Sequence, residues 1–246
     1  MTHWSDDASL WEAMTPALSA PVRYVVADAE VATIVEKVEL RPGARVLDLA
    51  CGAGVHAVAF AARGFRVTAV DRSAGLLRLA ETRASAMGVS VEFVHADMRK
   101  FIRPFGYDVA CSLKSSFAYF EDEVNLRVLR NMKESLRTGA TLVLDTLGEG
   151  VVSCTADAGI HEIAGTRYSV RRSFDNVRSV VQEEWTVDRA GDAQHYRTEQ
   201  RIYTAAELVS MLETVGLTKV TIAASLDATA HYDQYSPRLV AFAGAA

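Results

Sequence analysis

Residues 44–58 read ARVLDLACGAGVHAV. The short run RVLDL is rich in β-forming residues and ends at a glycine-containing loop, Cys51 to Gly54. AVAFAAR, residues 57–63, follows with helical character and stops at Gly64, where a helix C-cap is expected. A strand that turns through glycine into a helix lets a ligand approach the backbone and the helix N-terminus closely. The stretch therefore predicts the first strand of a parallel α/β sheet with a ligand site at its carboxyl end.

The same rhythm continues downstream. FRVTAVD (65–71) reads as a second strand, and Ser73 caps a helix running to about Met87, stopped by Gly88. VEFVHAD (91–97) and YDVACSL (107–113) are the third and fourth strands. Residues 122–136 form a helix that Gly139 is expected to end, and TLVLDTL (141–147) is the fifth strand. Apolar strands alternating with helices predict a parallel sheet covered on both faces. Upstream, VADAEVATIVEKV (26–38) has helical spacing, and the first 40 residues read as helices.

After Gly150 the rhythm changes. RYSVRRSF (167–174) and VVQEEWTV (180–187) are β-rich, with turns at Asp175-Asn176 and Ala190-Gly191-Asp192, so residues 151–203 read as a small antiparallel insert. Thr204 to Glu207 is a capping box that opens a helix to about Val215. TKVTIAAS (218–225) and RLVAFAG (238–244) complete the strand set. With no repeat or linker in evidence, residues 1–246 read as a single domain. Its parts are an N-terminal helical lid (1–40), a core (41–150), the insert, and a C-terminal helix with two strands (204–246).

Composition sets the class of partner. Acidic residues outnumber basic ones, 31 to 26, giving a formal net charge of −5. That balance argues against nucleic acid or an anionic membrane as partner, since both require a positive face. The opening MTHWSDDASLWEAM lacks the basic and apolar regions of a signal peptide, and no apolar run is long enough to span a bilayer. A cytoplasmic protein is expected. Cys51, Cys111 and Cys154 are too few and too widely spaced for a disulfide or zinc framework and read as buried small hydrophobes. The acidic run Glu121-Asp122-Glu123 opens a helix, where acids favour the dipole, so no metal site is expected.

The site residues admit two cofactors at first. Asp71 ends the second strand, where a carboxylate can accept both ribose hydroxyls of an adenosine, and Gly52 to Ala57 also fits a relaxed dinucleotide pattern. An NAD-dependent oxidoreductase is therefore a rival reading. Asp48 argues against it, because an anion at the end of the first strand repels a pyrophosphate and attracts an ammonium. Asp97-Met98, at the end of the third strand, offers an acceptor for an exocyclic amine and a thioether for an aromatic ring face.

In this order, VLDLACGAG, VTAVDRS, HADM, FGYDVACSL and LVLDTL resemble the motifs of class I S-adenosylmethionine-dependent methyltransferases, over roughly residues 40–147. The resemblance implies a Rossmann-like seven-stranded mixed sheet in which only the last strand is antiparallel. It assigns Asp48, Ala50, Gly52 and Gly54 to the methionyl end of the cofactor, Asp71 to the ribose, and Arg72, Asp97 and Met98 to the adenine. Ser112 and Leu113 fall near the sulfonium, and Arg23 or Tyr24 near the cofactor carboxylate. The family often carries Gly where this chain has Ala50. QRIYTAAELVSMLETVGL (200–217) and SPRLVAFA (236–243) resemble small-molecule, natural-product methyltransferases, which implies transfer to nitrogen or oxygen of a secondary metabolite. A non-catalytic cofactor-binding relative is the remaining alternative.

The acceptor is expected beyond the fourth strand, where SSFAYF (115–120) places Phe117, Tyr119 and Phe120, with the insert, including Trp185 and Tyr203, either covering the pocket or making a homodimer contact. Methyl transfer is an in-line displacement, for which alignment and exclusion of water do most of the work. A hydroxyl acceptor needs a base, and the candidates are Tyr119, Tyr203 and His231, with His161 and His195 behind them.

Overall fold

The computed structural model describes residues 3–154, 158–226 and 231–246. A single 3-10 turn, Trp4–Asp6, leads into α1 (Ala8–Leu18) and α2 (Pro21–Lys37). The core then runs β1 (Arg45–Leu49), α3 (Val55–Ala62), β2 (Arg66–Asp71), α4 (Ala74–Ala86), β3 (Val91–His95), β4 (Tyr107–Ser112), α5 (Asp122–Ser135) and β5 (Leu136–Leu147). A short helix, α6 (Val151–Cys154), precedes four strands, β6 (Ala158–Ile163), β7 (Thr166–Asp175), β8 (Val180–Arg189) and β9 (Asp192–Arg201). The chain closes with α7 (Ala205–Thr214), β10 (Leu217–Ala223) and β11 (Arg238–Ala245).

The seven-stranded sheet has the order β10-β11-β5-β4-β1-β2-β3, and β11 alone runs antiparallel to its neighbours. This is the mixed sheet expected from the motifs. Alternation along β1 puts Leu47 and Leu49 against α5 and α7, while Val46 faces α2 and α3. Asp48 shares the parity of Val46, so its carboxyl lies on the α2–α3 side, inside the second apolar layer. The order reverses between β1 and β4, which opens a crevice at their carboxyl ends.

The second sheet, β6-β7-β8-β9, is fully antiparallel and lies between β5 and α7 in sequence. Its inner face meets the N-terminal helices, where the Tyr168 and Tyr196 hydroxyls donate to the carbonyls of Ala13 and Ser9. Thr204 and Glu207 form the reciprocal capping box at α7, and Ser73 accepts the Leu76 N–H at α4. Arg172 and Arg178 pair with Glu183 and Glu199, so these two arginines of the insert are neutralised. Cys51 and Cys111 are buried free thiols, and the side chain of Cys154 lies outside the described residues.

One boundary differs from the sequence reading. Gly139 does not end α5; the helix stops at Ser135 and passes directly into β5. Leu136 already pairs with Tyr107, the register then shifts, and pairing resumes at Val109 with Thr141. Gly139 sits in that bulge at φ 78°, so its left-handed geometry serves a strand irregularity and not a helix cap.

Gly54 has a packing role. It is the N-cap of α3 at φ 71°, and a Cβ there would stand 2.6 Å from the Ala80 Cβ on α4. Gly54→Ala therefore combines a left-handed alanine with overpacking, and should cost about 2–4 kcal/mol of stability. Denaturant titration checks this. A loss below about 1 kcal/mol would mean that α4 moves away freely.

Candidate cofactor cleft

The crevice at the ends of β1, β2, β3 and β4 is a cleft of about 930 Å³. It brings together Arg23, Asp48, Ala50, Gly52, Asp71, Arg72, Asp97, Met98, Leu113 and Tyr119, residues scattered over almost a hundred positions of sequence. The loop that floors it takes left-handed backbone at Ala50 (φ 62°) and Gly52 (φ 55°). Ala50 thus stands where glycine is favoured, the physical reason that glycine is common there in the family the motifs resemble.

Asp71 holds this loop. Its carboxylate accepts the Gly52 N–H and the Ser73 N–H, each at 2.8 Å. Burial raises its pKa, and the backbone amides work against that rise. Two bonds leave a carboxylate with further acceptor capacity on the cleft side. Asp97 is paired with Arg99, whose Nε lies 2.9 Å from both carboxylate oxygens. Burial pushes Asp97 up, but the Arg99 bonds prevail and its pKa is lowered. Arg72 pairs with Asp6 of the 3-10 turn, which Arg99 also approaches at 3.2 Å.

Asp48 is the most stressed group in the cleft. It is 2% exposed, and its Oδ2 has no hydrogen-bond partner among the described residues. Burial lifts its pKa to about 6, with the nearby Asp71 adding to the rise and His56 opposing it. Beside it, Glu30 of α2 accepts from His56 Nε2 at 2.8 Å and is paired with Lys114. Burial alone would raise Glu30, yet these two partners bring its pKa below the ordinary value. Arg23 has no ion pair among the described residues, and burial followed by the nearby Arg238 lowers its pKa. A buried carboxyl with one oxygen lacking a donor and a cation lacking an ion pair therefore both line the cleft.

Several sequence candidates lie elsewhere. Tyr24 donates weakly to the Ala53 carbonyl at 3.5 Å and stacks under Arg83, outside the cleft lining. Ser112 is buried at the end of β4, and Leu113 lines the cleft in its place. Tyr203 is corrected most clearly. It is 1% exposed, packs on Phe117, and its hydroxyl donates to Asp122 and accepts from Asn125. It belongs to the apolar core, as does Phe117. His231 is exposed and lines none of the cavities described here. His195 is bonded to Thr186 on the outer side of the insert, and His161 lies on exposed strand β6. Tyr119 alone of the three candidate bases reaches the cleft, and burial raises its pKa, which keeps the phenol protonated and leaves little phenolate to act as a base.

The reading missed Asp6, Trp4, Trp11, Glu30 and Lys114. His56 also lines the cleft. Its place in the first turn of α3, directly behind the glycine loop, was the available signal.

Residues 46–139 match the family model described as a methyltransferase domain. By that match, the core of the chain is a methyltransferase domain. The cypemycin N-terminal methyltransferase of a Streptomyces species is 33% identical over 150 residues, 61% of this chain and 57% of that protein. The chain thus spans little more than half the length of that curated relative. Among solved structures, an S-adenosylmethionine-dependent methyltransferase from Clostridium acetobutylicum superposes with a TM-score of 0.77 at 15% identity, covering 96% of both chains. An amino pentose methyltransferase from Micromonospora echinaspora, solved with S-adenosylmethionine bound, gives 0.67 at 19% identity, covering 89% of this chain and 92% of that one. The likeness includes the four-stranded insert, which lies outside the family match but within these nearly full-length superpositions.

The raised pKa of Asp48 makes a stability prediction with a defined sign. An acid whose pKa is 3.8 when free and about 6 when folded binds its proton more tightly in the native state. Folding is therefore unpenalised below the free value, increasingly penalised as pH rises from 3.8 to about 6, and penalised by a constant amount above that. Asp48→Asn should stabilise the ligand-free protein by about 2–3 kcal/mol at pH 8 and by little at pH 4. Denaturant titrations at both pH values check this; a gain that does not grow with pH would show that Asp48 is not the stressed group.

Proposed function

We propose that the chain is a methyltransferase that transfers the methyl group of S-adenosylmethionine to nitrogen or oxygen of a small molecule of secondary metabolism. The observation that carries the reading is the pairing of an unsatisfied Asp48 oxygen with an unpaired Arg23 at one end of the cleft. A zwitterionic amino-acid group supplies both missing partners, an ammonium for Asp48 and a carboxylate for Arg23. A pyrophosphate would instead meet Asp48, Glu30 and Asp71 around the loop, which disfavours NAD.

The sulfonium supplies an electrophilic methyl group with a neutral thioether as leaving group. The protein's part is alignment. Ala50 and Gly52 keep the loop backbone open to the methionyl chain, and a Cβ at Gly52 would meet nothing within 4 Å. Asp71 accepts from the ribose hydroxyls with its remaining lone pairs. Met98 and Asp97 face the adenine, with Arg99 fixing Asp97 in place. Leu113 and Tyr119 border the point where the methyl group emerges, and Tyr119 leads into a second cavity described below. The N-terminal turn, tied down through Asp6 to Arg72 and Arg99, covers the adenosine side and excludes water.

Calorimetric titration with S-adenosylhomocysteine, with NAD as control, tests the reading. Micromolar binding of the first and none of the second is expected. Asp71→Ala should weaken that binding by about 1–3 kcal/mol, the scale for removing a charged hydrogen-bond acceptor. Binding of NAD in place of S-adenosylhomocysteine would overturn the reading in favour of an oxidoreductase.

A further inference from the structure

A second cavity, of about 550 Å³, lies between the N-terminal helices and the inner face of the four-stranded sheet. It shares Trp11 and Tyr119 with the cofactor cleft, so the two spaces adjoin at those rings. Its walls are aromatic. Trp4 stands 4.7 Å from Tyr119 and 6.0 Å from Trp11, ring centre to ring centre, and Trp185 completes the wall from β8. Indole and phenol faces carry negative potential and favour a cation over a neutral group of the same shape.

One carboxylate shares the inner face with these rings. In β8, Val181, Glu183 and Trp185 alternate onto the face that meets α1, opposite Gln200, Thr198 and Tyr196 of β9. Tyr196 confirms the direction of that face through its bond to the Ser9 carbonyl. Glu183 has two unequal oxygens. Oε1 is held by Arg172 from the neighbouring strand. Oε2 accepts only long bonds, 3.2 Å from Trp185 Nε1 and 3.4 Å from Thr198 Oγ1. Both of those donors line the cavity, so Oε2 is the cavity-side oxygen, and its weak bonds leave it open to a stronger donor. In addition, the indole N–H of Trp4 is buried with no hydrogen-bond partner among the described residues.

We propose that this cavity is the acceptor site and that the acceptor is an arylalkyl amine, its ammonium or amine N–H held by Glu183 Oε2 and its ring stacked within Trp4, Trp11, Tyr119 and Trp185. The inference rests on the methyl-transfer reading and narrows it from nitrogen or oxygen to nitrogen. The Trp4 N–H would serve an oxygen acceptor on the same molecule. For reaction the bound ammonium gives one proton to solvent. The nitrogen lone pair then forms the N–CH3 bond as the C–S bond breaks, sulfur keeps that electron pair as a neutral thioether, and the product leaves as a secondary ammonium. Glu183 is a binding and orienting group in this scheme, which needs no strong base.

The test uses the full chain saturated with S-adenosylhomocysteine, so that binding is read without turnover. Phenethylamine and tryptamine are titrated against the matching alcohols, phenethyl alcohol and tryptophol. The amines should bind about ten-fold more tightly, as a charged hydrogen bond to Glu183 in place of a neutral one implies. Glu183→Gln should erase the preference while leaving S-adenosylhomocysteine affinity within about two-fold. Trp11→Leu, which leaves the Arg172–Glu183 pair in place, should weaken amines and alcohols alike and leave the preference standing. Equal binding of amines and alcohols, or a preference that survives Glu183→Gln, overturns the proposal while S-adenosylhomocysteine binding stands. Failure of S-adenosylhomocysteine to bind in the first place overturns the methyl-transfer reading, and this inference with it.

Discussion

The bond from the Gly52 N–H to the Asp71 carboxylate ties the β1 loop to the end of β2, and the rest of the cleft depends on it. Ala50 and Gly52 occupy left-handed backbone that an unrestrained chain would leave. Asp71 is buried, so its charge must be met, and the protein meets it with the two amides that define the loop, at Gly52 and Ser73. One side chain thereby sets the curvature of the β1 loop and the start of α4 together. The crevice between β1 and β4 exists by topology, but its floor has a fixed shape because a charge is buried there.

The same economy explains why charges gather at the Asp48 end of the cleft. Asp48, Asp71 and Glu30 lie close together in a region where the sheet is otherwise packed with apolar side chains. Glu30 is satisfied within the protein by His56 and Lys114. Asp48 is not, and its raised pKa records the cost. Sites that bind ions commonly carry such a cost in the free state, since a group already satisfied by the protein has little left to offer a ligand. Arg23 mirrors it with the opposite sign, on a helix that reaches the cleft from outside the sheet.

Much of this was legible in the sequence. β1, its loop and Asp71 were readable because the chain marks them locally, by a β-rich run, glycines and a carboxylate at a strand end. The resemblance carried by the motifs implied the seven-stranded mixed sheet and its one reversed strand; the order of the strands came from the structure. What escaped reading was set by tertiary contact. Tyr203 looked like an acceptor-side phenol, yet Asp122 and Asn125 take its hydroxyl into the core. Gly139 looked like a helix stop, yet pairing of Leu136 with Tyr107 draws the chain into the strand before the glycine is reached. Trp4, Trp11 and Glu183 carry no local signature, because they become neighbours only when the N-terminal helices lie against the insert.

That packing gives the N-terminal segment two attachments. Asp6 binds Arg72 and Arg99 beside the Asp97 end of the cleft, while Trp4, two residues earlier, contacts Tyr119 at the entrance to the second cavity. α1 continues the contact through the bonds from Tyr168 and Tyr196. A displacement of this segment would open both spaces at once, because no hinge longer than one residue separates Trp4 from Asp6. The Asp97 side of the cleft and the wall of the neighbouring cavity are therefore mechanically one piece. Arg99 strengthens the union, since it binds Asp97, approaches Asp6 and lies over the Phe120 ring. Whatever orders the turn on one side orders the aromatic wall on the other, and the coupling needs no change in the sheet itself.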